Sequence, residues 1–276
     1  DLSNAGNQPM ISRSGRYVIS FNGEIYNHDA LKIELRNKNI VWRGHSDTEV
    51  LIELVDHYGL EKTLTKCVGM FAIAIWDRQE KCLKLARDRI GEKPLYYGFS
   101  GSGKNKTFLF ASELSAIKKW KYFNNNINTN ALSELITYHA ISAPNSIYEG
   151  IYQLKPGHLL RINYPNEESL EAAEPWWSLL SVIDKSLKNP IYNENEAIET
   201  IQSDLTKAVK LQSISDVPLG TFLSGGIDSS LITALLQKST SKQVKTYTIG
   251  FEEKEFNEAP FSKEIARILD TDHHEF

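Results

Sequence analysis

The chain has 276 residues, of which 41% are hydrophobic and 24% charged, and its formal net charge is −4. This is a globular composition with room for two domains of ordinary size. It has no long basic run of the kind that binds nucleic acid, and the apolar runs at 70–76 and 231–236 are too short to span a membrane. The chain has two cysteines, Cys67 and Cys82, which favours a reducing, cytoplasmic setting.

The first half of the chain predicts several strands with helices between them. Residues 16–21 alternate as a strand, which is expected to stop at a turn formed by Asn22 and Gly23. Ser46 has capping-box spacing to Glu49 ahead of an apolar run, so a helix is expected to begin there. Further strands are expected at 69–76, 82–86, 95–99 and 107–111, and further helices at 112–120 and 129–139. This order indicates a layered α+β domain.

The pattern changes in the second half. Residues 161–190 have weak periodicity, so we place a first domain at 1–165, a linker at 166–192 and a second domain at 193–276. A helical stripe over 197–209 is followed by a strand, a helix, a strand and a helix, at 219–223, 228–238, 244–251 and 259–269. This alternation predicts the start of a parallel, doubly wound sheet.

A loop with the sequence Leu-Ser-Gly-Gly-Ile-Asp-Ser-Ser occupies residues 223–230, between a predicted strand and a predicted helix. The N-terminus of a helix presents unpaired N–H groups and a positive dipole end, which suit a phosphate. The glycines let the backbone approach an anion closely, and the hydroxyls add donors. The residues expected at the phosphates are Ser224, Gly225, Gly226, Ser229 and Ser230. An aspartate does not attract phosphate, so Asp228 is assigned to a Mg²⁺ ion that the phosphates bring.

The same loop has no lysine at the position where a Walker A motif carries one. It resembles instead the pyrophosphate loop of the ATP pyrophosphatase superfamily. That resemblance implies that the loop holds the β- and γ-phosphates together and leaves the α-phosphorus to a substrate oxygen, which then forms an acyl-adenylate. The competing interpretation is a serine-rich helix cap after a glycine turn.

A second motif, Asn-Gly-Glu-Ile-Tyr-Asn, occupies residues 22–27. A strand end followed by Asn-Gly can place a side-chain amide and a backbone N–H side by side as an oxyanion hole, although Asn-Gly alone favours a plain turn. Further motifs follow the same order as in one known family, at 5–10, 21–28, 44–49, 86–97, 110–113, 146–151, 156–158 and 215–218. Together they resemble glutamine-dependent asparagine synthetase.

The resemblance implies an α+β N-terminal-nucleophile glutaminase domain, an αββα sandwich, followed by an incomplete α/β ATP-pyrophosphatase domain with a parallel doubly wound sheet. In the first domain, Asn22 and Gly23 would be catalytic and would form the oxyanion hole for the glutamine amide. Glu24 and Asp47 would bind the α-ammonium group of glutamine. Asp47 also suits the first turn of a helix, because a negative charge is favourable there.

In the second domain, the resemblance implies ATP as substrate with Mg²⁺, and it places Leu223 and Ile249 at the adenine. Both are also explained as core residues of strands. The implied reaction is the ATP-dependent amidation of aspartate through β-aspartyl-AMP, with ammonia from glutamine and with release of AMP and pyrophosphate. The ammonia is expected to move through an interior passage near residues 87–97.

Family members begin with a catalytic cysteine, which Asp1 cannot replace. Cys67 and Cys82 are interior to the chain and are interpreted as small buried hydrophobic residues. The natural chain is therefore expected to extend beyond both ends, and these 276 residues alone are not expected to perform the full reaction.

Two alternatives stay open. One is a related amidotransferase that acts on another carboxylate, of the polysaccharide-cluster or exosortase-cluster type, since the acceptor pocket is expected beyond Phe276. The other is a non-catalytic ATP-binding protein that begins at Asp1. The family is often dimeric, which leaves a homodimer open.

Overall fold

The computed structural model describes residues 3–38, 40–163, 172–215 and 217–276. It consists of two compact units, Asp1–Lys185 and Ser186–Phe276. The division falls inside the linker expected at 166–192, and the exact domain limits stay a prediction. Residues 164–171, where that linker was expected to begin, and Asp216 of the 215–218 motif lie outside the described residues. In the described part, no helix has the length and apolarity needed to cross a membrane.

The first unit contains two antiparallel sheets. The strands are β1 (Met10–Ile11), β2 (Tyr17–Ile25), β3 (Gly69–Asp77), β4 (Cys82–Arg87), β5 (Tyr96–Ser100), β6 (Thr107–Ala111), β7 (Ile151–Gln153), β8 (His158–Asn163) and β9 (Glu174–Pro175). The larger sheet has the order β1-β2-β3-β4-β8-β9, and the smaller sheet has the order β6-β5-β7. The helices are α1 (His28–Glu34), α2 (Asp47–Tyr58), α3 (Leu60–Lys66), α4 (Leu114–Ile117), α5 (Thr129–Tyr138) and α6 (Leu179–Ser186).

The period-two pattern of β2 and β3 divides the larger sheet into two buried faces. On one face, Ile19 of β2 and Ile73 of β3 belong to the core that contains the apolar side chains of α1, α2 and α3. On the other face, Ala72 and Ala74 pack with Leu95 and Tyr97 from the smaller sheet and the loop before it. Helix α4 packs against β6 of the smaller sheet. The layers are those expected of the αββα sandwich.

Strand β2 does not stop at Asn22 and Gly23, so the turn expected there is wrong. The strand continues to Ile25, with Asn22 opposite Ala72 and Gly23 opposite Phe71 of β3. Long-range pairing with β3 overrides the local turn preference of Asn-Gly. A Cβ atom at position 23 would collide with the Met70 carbonyl oxygen, so this glycine permits close strand approach.

Helix α2 begins as the sequence predicts, with Ser46 Oγ accepting the Glu49 N–H at 3.1 Å. The Glu49 carboxylate accepts the N–H groups of Arg43 at 2.9 Å and Gly44 at 3.0 Å. Burial alone would raise the pKa of Glu49, but these hydrogen bonds and the Arg43 side chain outweigh burial and lower it. Glu49 therefore fixes the chain that enters α2. The helix expected at 112–120 is shorter than predicted, because α4 covers only Leu114–Ile117.

The second unit is a parallel sheet with crossover helices. Its elements are α7 (Glu194–Gln212), β10 (Gly220–Phe222), α8 (Ile227–Ser239), β11 (Lys245–Thr248), α9 (Ala259–Leu269) and β12 (Asp272–Glu275). The strand order is β10-β11-β12, and both pairs are parallel. Helix α8 packs against α7 and α9. Threonine side chains join the layers, as in the 3.1 Å contact between the hydroxyls of Thr221 and Thr233.

Candidate functional site

The side chain of Asn22 points toward the smaller sheet, on the face of β2 opposite to Phe21. Its Nδ2 donates a hydrogen bond of 2.9 Å to Ser112 Oγ, just after β6. Asn22 and Ser112 border a cavity of about 160 Å³, together with small and apolar residues that include Ala72, Leu95 and Phe110. The exposed amide therefore borders a cavity between the two sheets.

The N–H of Gly23 points to the edge of β2 that faces away from β3. The backbone groups of Phe71, its partner in β3, bond to Asp88 instead: the Asp88 N–H donates to Phe71 O at 2.9 Å, and the side-chain Oδ2 of Asp88 accepts the Phe71 N–H at 3.1 Å. Gly23 and Phe71 are thus a pair that is not hydrogen-bonded within the ladder. The two backbone groups of Gly23 are consequently directed outward.

Side-chain acceptors occupy the same edge on either side of Gly23. Gln8 Oε1 accepts the N–H of Phe21 at 2.5 Å, and Asp47 Oδ2 accepts the N–H of Ile25 at 2.9 Å. Alternate residues of a strand are about 7 Å apart, so the Gly23 N–H lies between two anchored neighbours. The Asn22 side chain and the Gly23 N–H come from consecutive residues of β2, and an oxyanion hole needs two such donors close together.

Carboxylates gather at the end of β2. Asp47, the first residue of α2, uses its Oδ1 to accept the N–H of Thr48 at 2.7 Å in addition to its contact with Ile25. The pKa of Tyr26 is raised, mainly by burial and then by the negative charges of Glu92, Glu24 and Asp88. Glu92 is itself buried enough that its pKa is raised, with the Asp88 charge adding to the effect. The sequence-predicted pair Glu24 and Asp47 thus lies at one end of one strand, where a cationic group would be favourable.

The segment after β4 is held rigidly by two adjacent charged residues. The Asp88 carboxylate accepts the N–H groups of Gly91 at 2.6 Å, Glu92 at 2.9 Å and Lys93 at 2.9 Å. The Arg87 guanidinium donates to the carbonyl oxygens of Lys93, Gly91 and Leu154, each at 2.7 Å. These bonds set the path of the chain that brings Leu95 to the wall of the cavity.

Neither cysteine is suited to act as a nucleophile. Cys67 and Cys82 are both buried. Burial raises the pKa of Cys67 to about 12 and also raises that of Cys82. Because the thiolate is the reactive form, both thiols are inert at neutral pH. Their interpretation as buried hydrophobic residues is confirmed.

The loop at residues 223–230 has the strand-loop-helix geometry that its sequence predicts. Gly225 has φ +82°, and a Cβ atom there would lie 2.8 Å from the Phe261 Cβ of α9. Gly226 is the N-cap of α8. The hydroxyls of Ser224 and Ser229 are 2.9 Å apart, which closes the loop on itself.

The loop also carries features that fit a phosphorylated ligand. Within the described residues, Ser230 Oγ is buried and has no hydrogen-bond partner. Such a group needs a hydrogen-bond partner that the described residues do not supply. Asp228 is exposed in the first turn of α8. The described part of the chain contains no group of three or more His, Cys, Asp or Glu side chains that could hold a metal, so Asp228 is not part of a metal site built from such side chains alone.

The two residues expected at the adenine lie at neighbouring strand ends. Leu223 is buried, its N–H donates to Tyr247 O at 2.9 Å, and its carbonyl oxygen accepts the Thr248 hydroxyl. Ile249 follows β11 and is 60% exposed. The parallel pairing of β10 and β11 brings these positions to the same edge as the loop.

Comparison with known proteins identifies the family. Residues 1–177 match the glutamine amidotransferase domain family, and residues 200–276 match the asparagine synthase family. The chain belongs to the glutamine amidotransferase domain family, and its C-terminal part matches asparagine synthase. The expected fold class, a glutaminase domain followed by the start of an ATP-pyrophosphatase domain, is confirmed by these two matches and by the architecture described above.

Individual relatives are similar to nearly the whole of this chain. Asparagine synthetase [glutamine-hydrolyzing] 1 of Bacillus subtilis is 32% identical over 98% of this chain and 40% of its own length. Amidase chry2 of Gibberella zeae is 33% identical over 99% of this chain and 41% of its own length. This chain therefore spans less than half the length of these two relatives. Among solved structures, the allosteric regulatory enzyme of purine biosynthesis is similar with a TM-score of 0.45 and 20% identity, covering 89% of this chain and 48% of that one.

Three residues of the first site were missed by sequence reasoning: Gln8, Glu92 and Ser112. Each belongs to a segment that carries the family resemblance, at 5–10, 86–97 and 110–113. No local spacing signals their contact with β2, because Gln8 and Ser112 are 13 and 90 residues from their partners.

Proposed function

We propose that this chain carries the glutamine-binding and ATP-binding parts of an asparagine synthase (glutamine-hydrolysing). One observation carries the glutaminase half: the Gly23 N–H is directed outward between two anchored neighbours, beside the Asn22 amide, which Ser112 holds. Two such donors aimed at one point stabilise the oxyanion that forms when an amide is attacked.

Glutamine is the substrate of this first site. Glu24 and Asp47 bind its α-ammonium group, and Asn22 with Gly23 binds the developing oxyanion of its side-chain amide. The nucleophilic thiol comes from outside these 276 residues, because both cysteines of the chain are buried with raised pKa values. The ammonia released passes through the interior, and the cavity lined by Leu95 supports an exit on the side of residues 87–97.

ATP is the substrate of the second site. The loop residues Ser224, Gly225, Gly226, Ser229 and Ser230 bind the β- and γ-phosphates, Asp228 binds the accompanying Mg²⁺, and Leu223 with Ile249 contacts the adenine. The buried Ser230 hydroxyl, which has no hydrogen-bond partner among the described residues, supports this assignment. The side-chain carboxylate of aspartate attacks the α-phosphorus, giving β-aspartyl-AMP and pyrophosphate. Ammonia then displaces AMP and gives asparagine.

A second candidate is a related amidotransferase with a different carboxylate acceptor. The 33% identity to amidase chry2 favours keeping it, because that value is comparable with the 32% identity to the synthetase of Bacillus subtilis. The residues proposed for glutamine and ATP would be the same in both cases. A homodimer and a cytoplasmic setting stay predictions under either candidate.

The test is an assay of the complete gene product with ATP, Mg²⁺ and glutamine. With aspartate as acceptor, we expect asparagine, glutamate, AMP and pyrophosphate in equal amounts. Amidation of another carboxylate, with aspartate inert, would favour the second candidate. Binding of ATP with no turnover of glutamine or of any acceptor would favour a non-catalytic protein.

A further inference from the structure

The position of the Asn22 amide depends on a residue from the other sheet. Its Nδ2 donates to Ser112 Oγ at 2.9 Å, across 90 residues of sequence. We infer that Ser112 is a positioning residue of the oxyanion hole, a role that rests on the proposed function of Asn22. Ser112 does not touch the reacting atoms. It accepts one of the two Nδ2 hydrogens, and the other then points in one direction, toward the substrate oxygen.

An exposed asparagine has no reason to keep one side-chain conformation. Asn22 is exposed, and it stands next to the cavity of about 160 Å³. An amide in such a place can rotate and can present its oxygen, which would repel an oxyanion. A donor that is already fixed needs no reorganisation when charge develops on the substrate, which is what makes an oxyanion hole effective. The hydrogen bond to Ser112 supplies that fixation.

The position of Ser112 is itself set by the smaller sheet. Ser112 directly follows β6, and the β5–β6 ladder continues to the pair Tyr96 and Ala111. The other end of the contact is set by the larger sheet, where Asn22 pairs with Ala72. The distance between the amide and the hydroxyl is thus determined by the packing of two sheets, because Asn22 lies within β2 and Ser112 is the first residue after β6.

The test uses glutaminase kinetics of the complete gene product. For Ser112→Ala we expect kcat for glutamine hydrolysis to fall about 3- to 10-fold, as befits one neutral hydrogen bond. The KM for glutamine should change less than twofold, and synthesis with ammonium as nitrogen source should be unchanged. Ser133→Ala, an exposed serine on α5, is the matched control and should leave all three quantities unchanged.

A second pair of variants separates the hydroxyl from the shape. Ser112→Thr keeps the hydroxyl group. Valine has nearly the same shape as threonine but no hydroxyl, so Ser112→Val is compared with Ser112→Thr. The threonine variant should retain glutaminase turnover, and turnover of the valine variant should fall about 3- to 10-fold, even if Ser112→Ala does not fold. An aldehyde analogue of glutamine, which forms a tetrahedral adduct with the nucleophile, should lose affinity in the valine variant by the same factor as kcat. The affinity for glutamate should not change.

A double-mutant cycle decides whether Ser112 acts through Asn22. In the Asn22→Ala background, Ser112→Ala should cost no further turnover. An equal further loss there, a rise in KM with kcat unchanged, or a loss of ammonium-dependent synthesis would overturn the positioning role. If Asn22→Ala itself leaves glutamine turnover at the wild-type rate, the proposed function of Asn22 fails, and the role of Ser112 fails with it. If Asn22→Ala is slow and Ser112→Val is normal, only the role of Ser112 fails.

Discussion

Asp47 Oδ2 accepts the N–H of Ile25 at 2.9 Å, which attaches the first residue of α2 to the last residue of β2. The same carboxylate is proposed to bind the α-ammonium group of glutamine. The Asp47 carboxylate therefore has two roles: it accepts a structural hydrogen bond from Ile25, and it is proposed to bind the positive charge of the substrate. A substitution that removes only the charge separates the two roles.

Asp47→Asn removes the charge but keeps an oxygen that can accept the Ile25 N–H. A hydrogen bond to a charged group contributes about 1.5–3 kcal/mol, so we expect the KM for glutamine to rise at least about 10-fold. Ammonium-dependent synthesis should be unaffected. The measurement is steady-state kinetics with each nitrogen source. An unchanged KM would remove Asp47 from the glutamine pocket.

Asn22→Ala removes the proposed side-chain donor of the oxyanion hole. Loss of one such donor lowers kcat by about 10²–10³, so glutamine hydrolysis should fall by that factor. Synthesis from ammonium should persist, because the second unit is untouched. Glutamine turnover close to the wild-type rate would contradict the assignment.

Asp228→Ala removes the proposed Mg²⁺ ligand of the loop at residues 223–230. Synthesis should be abolished with either nitrogen source, whereas glutamine hydrolysis should continue. Release of pyrophosphate and of glutamate, measured in the same reaction, distinguishes the two activities. If pyrophosphate is still released at the normal rate, Asp228 has no role in ATP chemistry.

Substitution by alanine is expected to have different effects on stability and ATP binding at the two glycines of the loop. Gly225→Ala forces a side chain into φ +82° and against Phe261, so we expect destabilisation of at least about 1–2 kcal/mol and loss of ATP binding. Gly226→Ala is the control, because its backbone has φ −71° and the nearest atom to an added Cβ is Ser224 Oγ at 3.3 Å. Urea unfolding and nucleotide titration measure both effects. Equal tolerance at the two positions would argue against the close loop–α9 packing.

Two buried glutamates one turn apart on α2 should respond oppositely to neutralisation. Hydrogen bonds lower the pKa of Glu49 below its ordinary value of 4.5, whereas burial raises that of Glu53 above the same value. The stabilisation from Glu49 is therefore present above about pH 4.5 and is lost as pH falls through its lower native pKa. Ionised Glu53 has the opposite effect, because its charge becomes unfavourable as pH rises through its raised pKa.

At pH 7, Glu49→Gln should lower the free energy of unfolding, and Glu53→Gln should leave it unchanged or increase it. Glu49→Gln should also weaken the acid-induced loss of stability below about pH 4.5. Denaturant unfolding at pH 4 and pH 7 checks both variants. The same sign of change at pH 7 for the two variants would contradict the assigned pKa directions.

Much of the architecture is determined by local sequence. The period-two pattern of β2 and β3 set which face meets the helices, and Ile19 and Ile73 lie there. The helix expected at 259–269 has those bounds in α9. Gly225 was expected to let the backbone approach an anion, and the structure shows in addition that an added Cβ atom there would lie 2.8 Å from the Phe261 Cβ of α9.

Tertiary structure decided the parts of the site that depend on distant partners. The local sequence Asn22-Gly23 favours a turn, but the nine consecutive residue pairs between β2 and β3 keep both residues in a strand. The contacts of Gln8 with Phe21 and of Ser112 with Asn22 follow from strand pairing and sheet packing, which no short window of sequence contains. Local periodicity determines which face of an element is apolar, whereas the packing of two sheets determines which polar groups come within hydrogen-bonding distance.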